Sequence, residues 1–358
     1  MTKPAGWRLV RRWVKRILLG VVLLLIVALI FGMIYEALGR RSARADYPPP
    51  GQLVDVGGRK MHIDCRGTGS PTVIFESGLG TGGSLDWSLV HDDIAGFTRA
   101  CAYDRAGILW SESKDTPQDA AAVAEDLHKL LKEAGISGPL VLVGHSIGGP
   151  YTRTYVGKYG EQVAGLVMVD PSHPDQVARL GAITGIDVHP KQASTLMHAA
   201  KALALTGIVR FLASRSEVPK LRSAADTKKL RKAMAMKFAY FSTSVDGGTA
   251  ELDGYDRTQA EARAVRSFEN RPLVVLTAMA PFTPQQLKAS GLAPEQGVRF
   301  KEEWRKLHAE QVAFSTRGRQ QVVPDATHFI QVDRPDVVVS AVREVVDVVR
   351  AESPSSPK

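Results

Sequence analysis

Ile17 to Tyr35 forms an uninterrupted apolar stretch of nineteen residues without a charge. As a helix it would reach about 28 Å at ~1.5 Å per residue, close to the hydrocarbon thickness of a bilayer. Trp7, Trp13 and Tyr35 lie near its ends, where amphipathic rings favour the membrane–water interface. The pattern predicts one membrane-spanning helix over 17–35 within an N-terminal segment 1–45. Residues 46–52, with Pro48-Pro49-Pro50, read as a stiff extended spacer.

From residue 53 to 350 the rhythm changes to short apolar runs alternating with amphipathic ones. Leu53–Val56 and Lys60–Cys65, separated by Gly57-Gly58, predict an opening hairpin. Thr72–Glu76, Arg99–Tyr103, Leu140–Val143, Val163–Val169, Pro272–Thr277 and Arg319–Val323 read as strands. Between Gln118 and Ala134, the residues Ala121, Ala124, Leu127, Leu130 and Leu131 fall at helical spacing, and Gly135 suits the position after a helix end. Pro150–Tyr159 and Pro335–Ala351 predict further helices. Residues 172–267 read as helical without strands, an insertion between two strands. Residues 351–358 (AESPSSPK) read as a disordered polar tail. Strands alternating with helices predict a mostly parallel sheet covered on both faces.

Charge changes this picture only at the N-terminus. The chain of 358 residues carries a net charge of +9. Residues 1–45 hold nine basic side chains and one acid, which leaves 37 basic against 36 acidic residues in the remainder. A basic face for nucleic acid therefore has no support in the folded part. Six basic residues precede the apolar run (Lys3, Arg8, Arg11, Arg12, Lys15, Arg16) and three follow it (Arg40, Arg41, Arg44). The positive-inside rule then places the N-terminus in the cytoplasm and the bulk of the chain outside it. The alternative is a secreted protein cleaved at Ala43-Arg44-Ala45, which has a small-x-small form. The length of the run and the basic cluster after it favour an uncleaved anchor. Cys65 and Cys101 are too few for a disulfide scaffold or a thiolate metal site. They are either two buried thiols or a pair formed in an oxidising compartment. No metal-ligand or cofactor motif is visible, so neither is expected.

Gly144-His145-Ser146-Ile147-Gly148-Gly149 follows a predicted strand and precedes a predicted helix. A nucleophilic serine needs that layout: a tight turn projects its hydroxyl above the sheet, and glycines on either side let strand and helix approach. The turn also presents backbone N–H groups at a helix N-terminus, where a developing oxyanion is stabilised.

With this elbow in place, the chain resembles the α/β-hydrolase superfamily over nearly all of residues 51–350. The resemblance rests on MHIDCRGTG (61–69), TVIFESGLG (72–80), YDRAG (103–107), LVLVGHSIGG (140–149), VAGLVMVDPSHPDQ (163–176), PLVVLTA (272–278) and ATHFIQVDRPDVV (326–338), in the family's order and spacing. It implies an eight-stranded, mostly parallel sheet, helices on both faces, a helical cap and a Ser-His-acid triad. Ser146 would be the nucleophile. One oxyanion donor would be the N–H of Ile147, and the other that of Leu79 in Ser77-Gly78-Leu79-Gly80, where the family often has His-Gly-x. His328, in a late loop, matches the base. His145 reads as structural or as a pocket wall, and His62, His91 and His128 as ordinary.

The turn after PLVVLT, the usual source of the acid, holds no carboxylate here (Ala278-Met279-Ala280-Pro281-Phe282). Some members supply the acid one strand earlier, which selects Asp170, with Asp175 as runner-up. Asp325 could instead support His328 from behind. Asp104 and Arg105 read as a structural ion pair or loop anchor. The family places the second and fourth strands side by side, so Cys65 and Cys101 would be neighbours able to form a disulfide.

The expected activity is hydrolysis of a carboxylic ester or related acyl substrate through an acyl-enzyme. Acyl transfer and cofactor-free haloperoxidase chemistry use the same triad, and a non-catalytic membrane-tethered ligand-binding protein is the reading from another class. An apolar cap beside a bilayer suggests a lipid-like substrate.

Overall fold

The computed structural model describes residues 5–221 and 223–352. Eight strands form one sheet in the order β1-β2-β4-β3-β5-β6-β7-β8. They are β1 (Gln52–Asp55), β2 (Lys60–Arg66), β3 (Thr72–Glu76), β4 (Ala100–Tyr103), β5 (Leu140–His145), β6 (Val163–Val169), β7 (Leu273–Ala278) and β8 (Gly318–Val323). β1–β2 and β2–β4 pair antiparallel, and every other neighbour pair is parallel. This is the α/β-hydrolase fold.

The central strands β3, β5, β6 and β7 are mostly apolar and almost wholly buried because both faces are covered. Alternate residues serve opposite layers. Val141 and Val143 of β5 and Val167 and Val169 of β6 face a cluster completed by Val338, Val342, Val345 and Val346 of the closing helix. Leu140, Leu142, Leu166 and Met168 face the other way, against Leu127, Leu130 and Leu131. Those leucines belong to the amphipathic helix Ala120–Glu133, capped at its start by Asp119, whose side chain accepts from the Ala122 N–H. Gly135 follows its end at φ +66°, as the sequence predicts. Cys65 and Cys101 face each other across β2 and β4 and are joined as a disulfide.

The helices are α1 (Ala5–Asp46), α2 (His91–Ala95), α3 (Ala120–Glu133), α4 (Gly148–Tyr159), α5 (Gln176–Thr184), α6 (Lys191–Leu205), α7 (Ile208–Ala213), α8 (Ala224–Ala239), α9 (Phe241–Asp253), α10 (Tyr255–Ala264), α11 (Pro284–Ser290), α12 (Pro294–Val312), α13 (Ile330–Asp333) and α14 (Pro335–Glu352). Helices α5 to α10 lie between β6 and β7, where the sequence reads as helical. The pair α11 and α12 was not expected. α12 packs on α5, β7 and β8, so it walls the same end of the sheet as α5.

Among the described residues one helix, α1, is long and apolar enough to cross a membrane. It continues past the apolar run to Asp46, so the spacer expected at 46–52 shortens to the residues between Asp46 and Gln52. Of the tail expected at 351–358, residues 351 and 352 close α14, and 353–358 lie outside the described residues.

Candidate active site

Strand β5 ends at His145 and α4 begins at Gly148, so Ser146 occupies the turn with φ +56°. That left-handed conformation is costly for a residue with a side chain. Three backbone bonds hold it: Ser146 N–H to the Val169 carbonyl at 3.2 Å, and the Ser146 carbonyl accepting from Gly149 N–H at 3.0 Å and Ser172 N–H at 2.8 Å. The flanking glycines are required by space. A Cβ at Gly148 would lie 2.4 Å from the Glu76 carbonyl oxygen, and one at Gly144 would lie 2.6 Å from the Gly148 oxygen.

His328, in the loop between β8 and α13, brings Nε2 to 2.9 Å from the Ser146 hydroxyl. Its Nδ1 lies 2.6 Å from Oδ2 of Asp170. Asp170 follows the last residue of β6 at φ +43°, a second left-handed position beside the first. Its other oxygen, Oδ1, accepts from the Ala278 N–H at 2.8 Å and the Trp304 indole N–H at 3.0 Å. The end of β7 thus supplies a backbone donor to the carboxylate. Burial would raise the Asp170 carboxyl, but the hydrogen bond to His328, the field of His308 and the Ala278 N–H outweigh it and hold the carboxyl below its ordinary value. His308 is buried and bonded at both nitrogens, to the Thr277 hydroxyl and the Pro171 carbonyl, each at 2.9 Å. Burial lowers its pKa, against the opposing pull of the Asp170 charge.

Asp175 is not part of this chain of bonds. It precedes α5, is half-exposed and pairs with Arg263 at 2.6 Å. Asp325 pairs with Arg334 at 2.8 Å. His145 lies behind the site: burial first, and then the nearby His328, lower its pKa to about 4. It is neutral near pH 7, and its Nε2–H is positioned 2.9 Å from the His328 carbonyl. His145 therefore fixes the backbone of the histidine loop.

Among the described residues, no protein acceptor takes the N–H of Ile147 or of Leu79. The loop carrying Leu79 is held from both sides. Arg105 donates to the Ser77 carbonyl and the Gly78 carbonyl, each at 2.8 Å. It also forms a two-point pair with Glu251 of α9 (2.6 and 2.8 Å) and reaches Glu76 at the end of β3 (2.6 Å). The Gly80 N–H lies against Glu251 and favours its ionised form, although burial raises the Glu251 carboxyl overall. Of the two readings of Asp104 and Arg105, the mutual ion pair is therefore corrected, while Arg105 anchors the loop as the other reading expects. The two side chains diverge, and Asp104 contacts His62 Nδ1 at 2.8 Å instead.

A cavity of about 420 Å³ opens over Ser146 and His328. Leu180, Phe282, Phe300 and Trp304 line it with Gln176 and Lys301. Lys301 bonds the Ala278 carbonyl at 3.2 Å and stands 5.0 Å from the Phe282 ring, and burial lowers its pKa. The sequence reading missed Phe300, Lys301 and Trp304. The signal was present, because Phe300, Trp304, Leu307, His308 and Gln311 fall on one helical face.

The fold and the placement of Ser146 on its strand–helix turn define the α/β-hydrolase class. A family model, the alpha/beta hydrolase family, matches residues 62–341, and the chain belongs to that family. It is 32% identical to an uncharacterized protein of Schizosaccharomyces pombe over 150 residues, 34% of this chain and 28% of that protein. It is 24% identical to a 2-(acetamidomethylene)succinate hydrolase of Mesorhizobium japonicum, over 82% of this chain and 94% of that one. Among solved structures it is similar to a thermophilic esterase of Thermogutta terrifontis, with a TM-score of 0.54 at 18% identity, covering 83% of this chain and 98% of the other. The chain spans about half or less of the length of several curated relatives that it matches.

Proposed function

We propose that the protein is a serine hydrolase acting on a carboxylic ester or related acyl substrate. The observation that carries this reading is the unbroken relay from the Ser146 hydroxyl through both ring nitrogens of His328 to Asp170, opening on a cavity. Ser146 Oγ attacks the acyl carbonyl carbon while His328 Nε2 takes its proton. Asp170 holds the ring in the correct tautomer and compensates the imidazolium. The Ile147 and Leu79 N–H groups receive the oxyanion. Collapse expels the alcohol, which leaves with the proton from Nε2. Water, deprotonated by the same nitrogen, then attacks the acyl-enzyme and releases the acid and free Ser146.

A fluorophosphonate probe tests this. It should label the native protein, and the Ser146→Ala variant should not be labelled. Folded native protein that resists the probe, or an equally labelled Ser146→Ala, would sink the proposal.

We further propose that α1 stays attached and holds the hydrolase outside the cytoplasm. The Cys65–Cys101 disulfide supports an oxidising compartment. The six-to-three basic bias supports the orientation. Retention of α1 is supported by its packing on the body, where Glu36 and Ala43 are each 2% exposed. Protease added to sealed vesicles of native polarity should digest the hydrolase domain only when that domain faces outward.

A further inference from the structure

Outside α1, eleven large hydrophobic side chains stand exposed among the described residues, and six of them lie between Leu196 and Leu212. They form stripes on α6 and α7. Leu196 and Leu203 are two helical turns apart, and Ile208, Phe211 and Leu212 share one face of α7. Leu212 is 59% exposed and Leu203 53%. A patch of this kind marks an interaction surface.

What covers it follows from where α1 meets it. The turn between α6 and α7 rests on α1 at Gly32, inside the apolar run. A Cβ at Gly32 would lie 2.1 Å from the Thr206 oxygen, and one at Gly207 would lie 2.5 Å from the Gly32 oxygen. Only glycines allow this backbone contact. Four residues further along α1, buried Glu36 is bonded to Arg210 Nε at 2.8 Å and to the Ser242 hydroxyl at 2.5 Å. These bonds set the height of α7 against the helix. Gly32 precedes Tyr35, the end of the uncharged run, by about 4.5 Å of helix at ~1.5 Å per residue. If α1 spans the bilayer, Thr206-Gly207 lies at the edge of the hydrocarbon, and α7, tied through Arg210 to Glu36 just past Tyr35, lies in the interfacial layer above it.

The surrounding charge suits the headgroup layer above. Arg41 and Arg44 at the end of α1 are exposed, as are Lys228, Arg231 and Lys232 of α8, which also packs on α1. The Arg215 guanidinium stacks 3.7 Å from the Phe211 ring, an amphipathic pair of the kind that sits at a membrane interface.

We propose that the α6–α7 face is seated in the leaflet from which the C-terminal end of α1 emerges, and that the enzyme takes its acyl ester from that lipid surface. The proposal rests on α1 spanning the membrane and, for its substrate clause, on the serine hydrolase reading. Two helices connect this face to the site. α6 places Met197 3.3 Å from where a Cβ at Gly248 would be, beside Gly80 of the Leu79 loop. α9 carries both Ser242, bonded to Glu36, and Glu251, which helps hold that loop through Arg105. α6 thus rests on α9, and α9 on the loop that carries the Leu79 N–H.

The test uses the full chain in vesicles of phosphatidylcholine and phosphatidylglycerol. Because Cys65 and Cys101 are bonded to each other, one added cysteine, at Leu212→Cys or at Val22→Cys, takes a single nitroxide label. Both labels should be more accessible to oxygen than to a water-soluble nickel chelate. A Val22 label in hydrocarbon with a Leu212 label in water overturns the seated face and leaves the anchor standing. Both labels in water overturn the anchor and the proposal together. A Leu212 label shielded from both reagents places protein on the face and also overturns the proposal. Phe211→Asp with Leu212→Asp should cut hydrolysis of a long-chain ester in those vesicles about tenfold or more, while a short soluble ester is cleaved at the native rate. Equal rates on both esters would overturn the substrate clause. Loss of both esters with Ser146 unlabelled by fluorophosphonate in the native chain would instead remove the hydrolase reading.

Discussion

Replacing Glu251 by Gln removes one charge from a fully buried cluster and nothing else in size. Arg105 is 2% exposed and Glu251 0%. Burial would lower the guanidinium pKa, but Glu251 and Glu76 outweigh it and hold the group charged. The native pair has two short bonds, and losing one partner of a buried pair costs about 3–5 kcal/mol. Glu76 still faces Arg105 at 2.6 Å, which favours the lower end of that range. At roughly 2 °C per kcal/mol for a domain of this size, the melting temperature should fall by about 6 °C. The kinetic effect is separate. Arg105 fixes the carbonyls of Ser77 and Gly78, and Glu251 faces the Gly80 N–H, so the variant loosens the backbone on both sides of the Leu79 N–H. Loss of one oxyanion donor costs about 10²–10³ in kcat, and a partly displaced donor should cost about tenfold. The assay is hydrolysis of a soluble p-nitrophenyl ester below the melting transition. We expect kcat to fall with KM little changed, and Glu251→Asp to recover part of it. A Glu251→Gln variant with native kcat but a lowered melting temperature would refute the positioning argument. A variant unchanged in both would refute the energetic one as well.

Asp170→Asn should keep the Ala278 and Trp304 contacts to Oδ1 and the overall fold, while losing about 10⁴ in kcat because the His328 tautomer is no longer held; fluorophosphonate labelling should slow in parallel, and Asp175→Asn should leave both measurements near native. His62 offers a pH test. Burial would lower its pKa, but Asp104 outweighs burial and holds it above 6.5. A raised folded pKa means that the contribution is complete below the unfolded value of about 6.5 and is lost as pH rises through the folded value. Thermal melts should therefore show native stability falling from about pH 6.5 upward, and His62→Gln should flatten that slope; an unchanged slope would remove His62 as its source.

The strands were legible in the sequence because a parallel sheet covered on both faces leaves continuous apolar runs, as in LVLV and VAGLVMV. The helix α3 was legible because its leucines repeat at helical spacing, and Gly135 marks its end. The elbow was legible because the constraint is local: Gly144 and Gly148 leave room for backbone that a Cβ would meet within 2.6 Å. Family membership, expected from seven ordered segments, agrees with the match over residues 62–341.

What the sequence left open depended on residues far apart in the chain. Asp170 and Asp175 are indistinguishable by spacing. Their separation came from β6 ending beneath the His328 loop, 158 residues away, while Asp175 turned outward to Arg263. Arg105 has an acid beside it in the sequence, yet successive side chains point apart. Its partners, Glu76 and Glu251, stand 29 and 146 residues away. α12 was overlooked because charges interrupt its apolar residues; only its packing on α5 and β7 brings Trp304 to Asp170. The apolar run marks α1 as long and apolar enough to cross a membrane by composition alone. That Gly32 meets Thr206, and so brings α6 and α7 against α1, is a contact between backbones, and no pattern of side chains could have announced it.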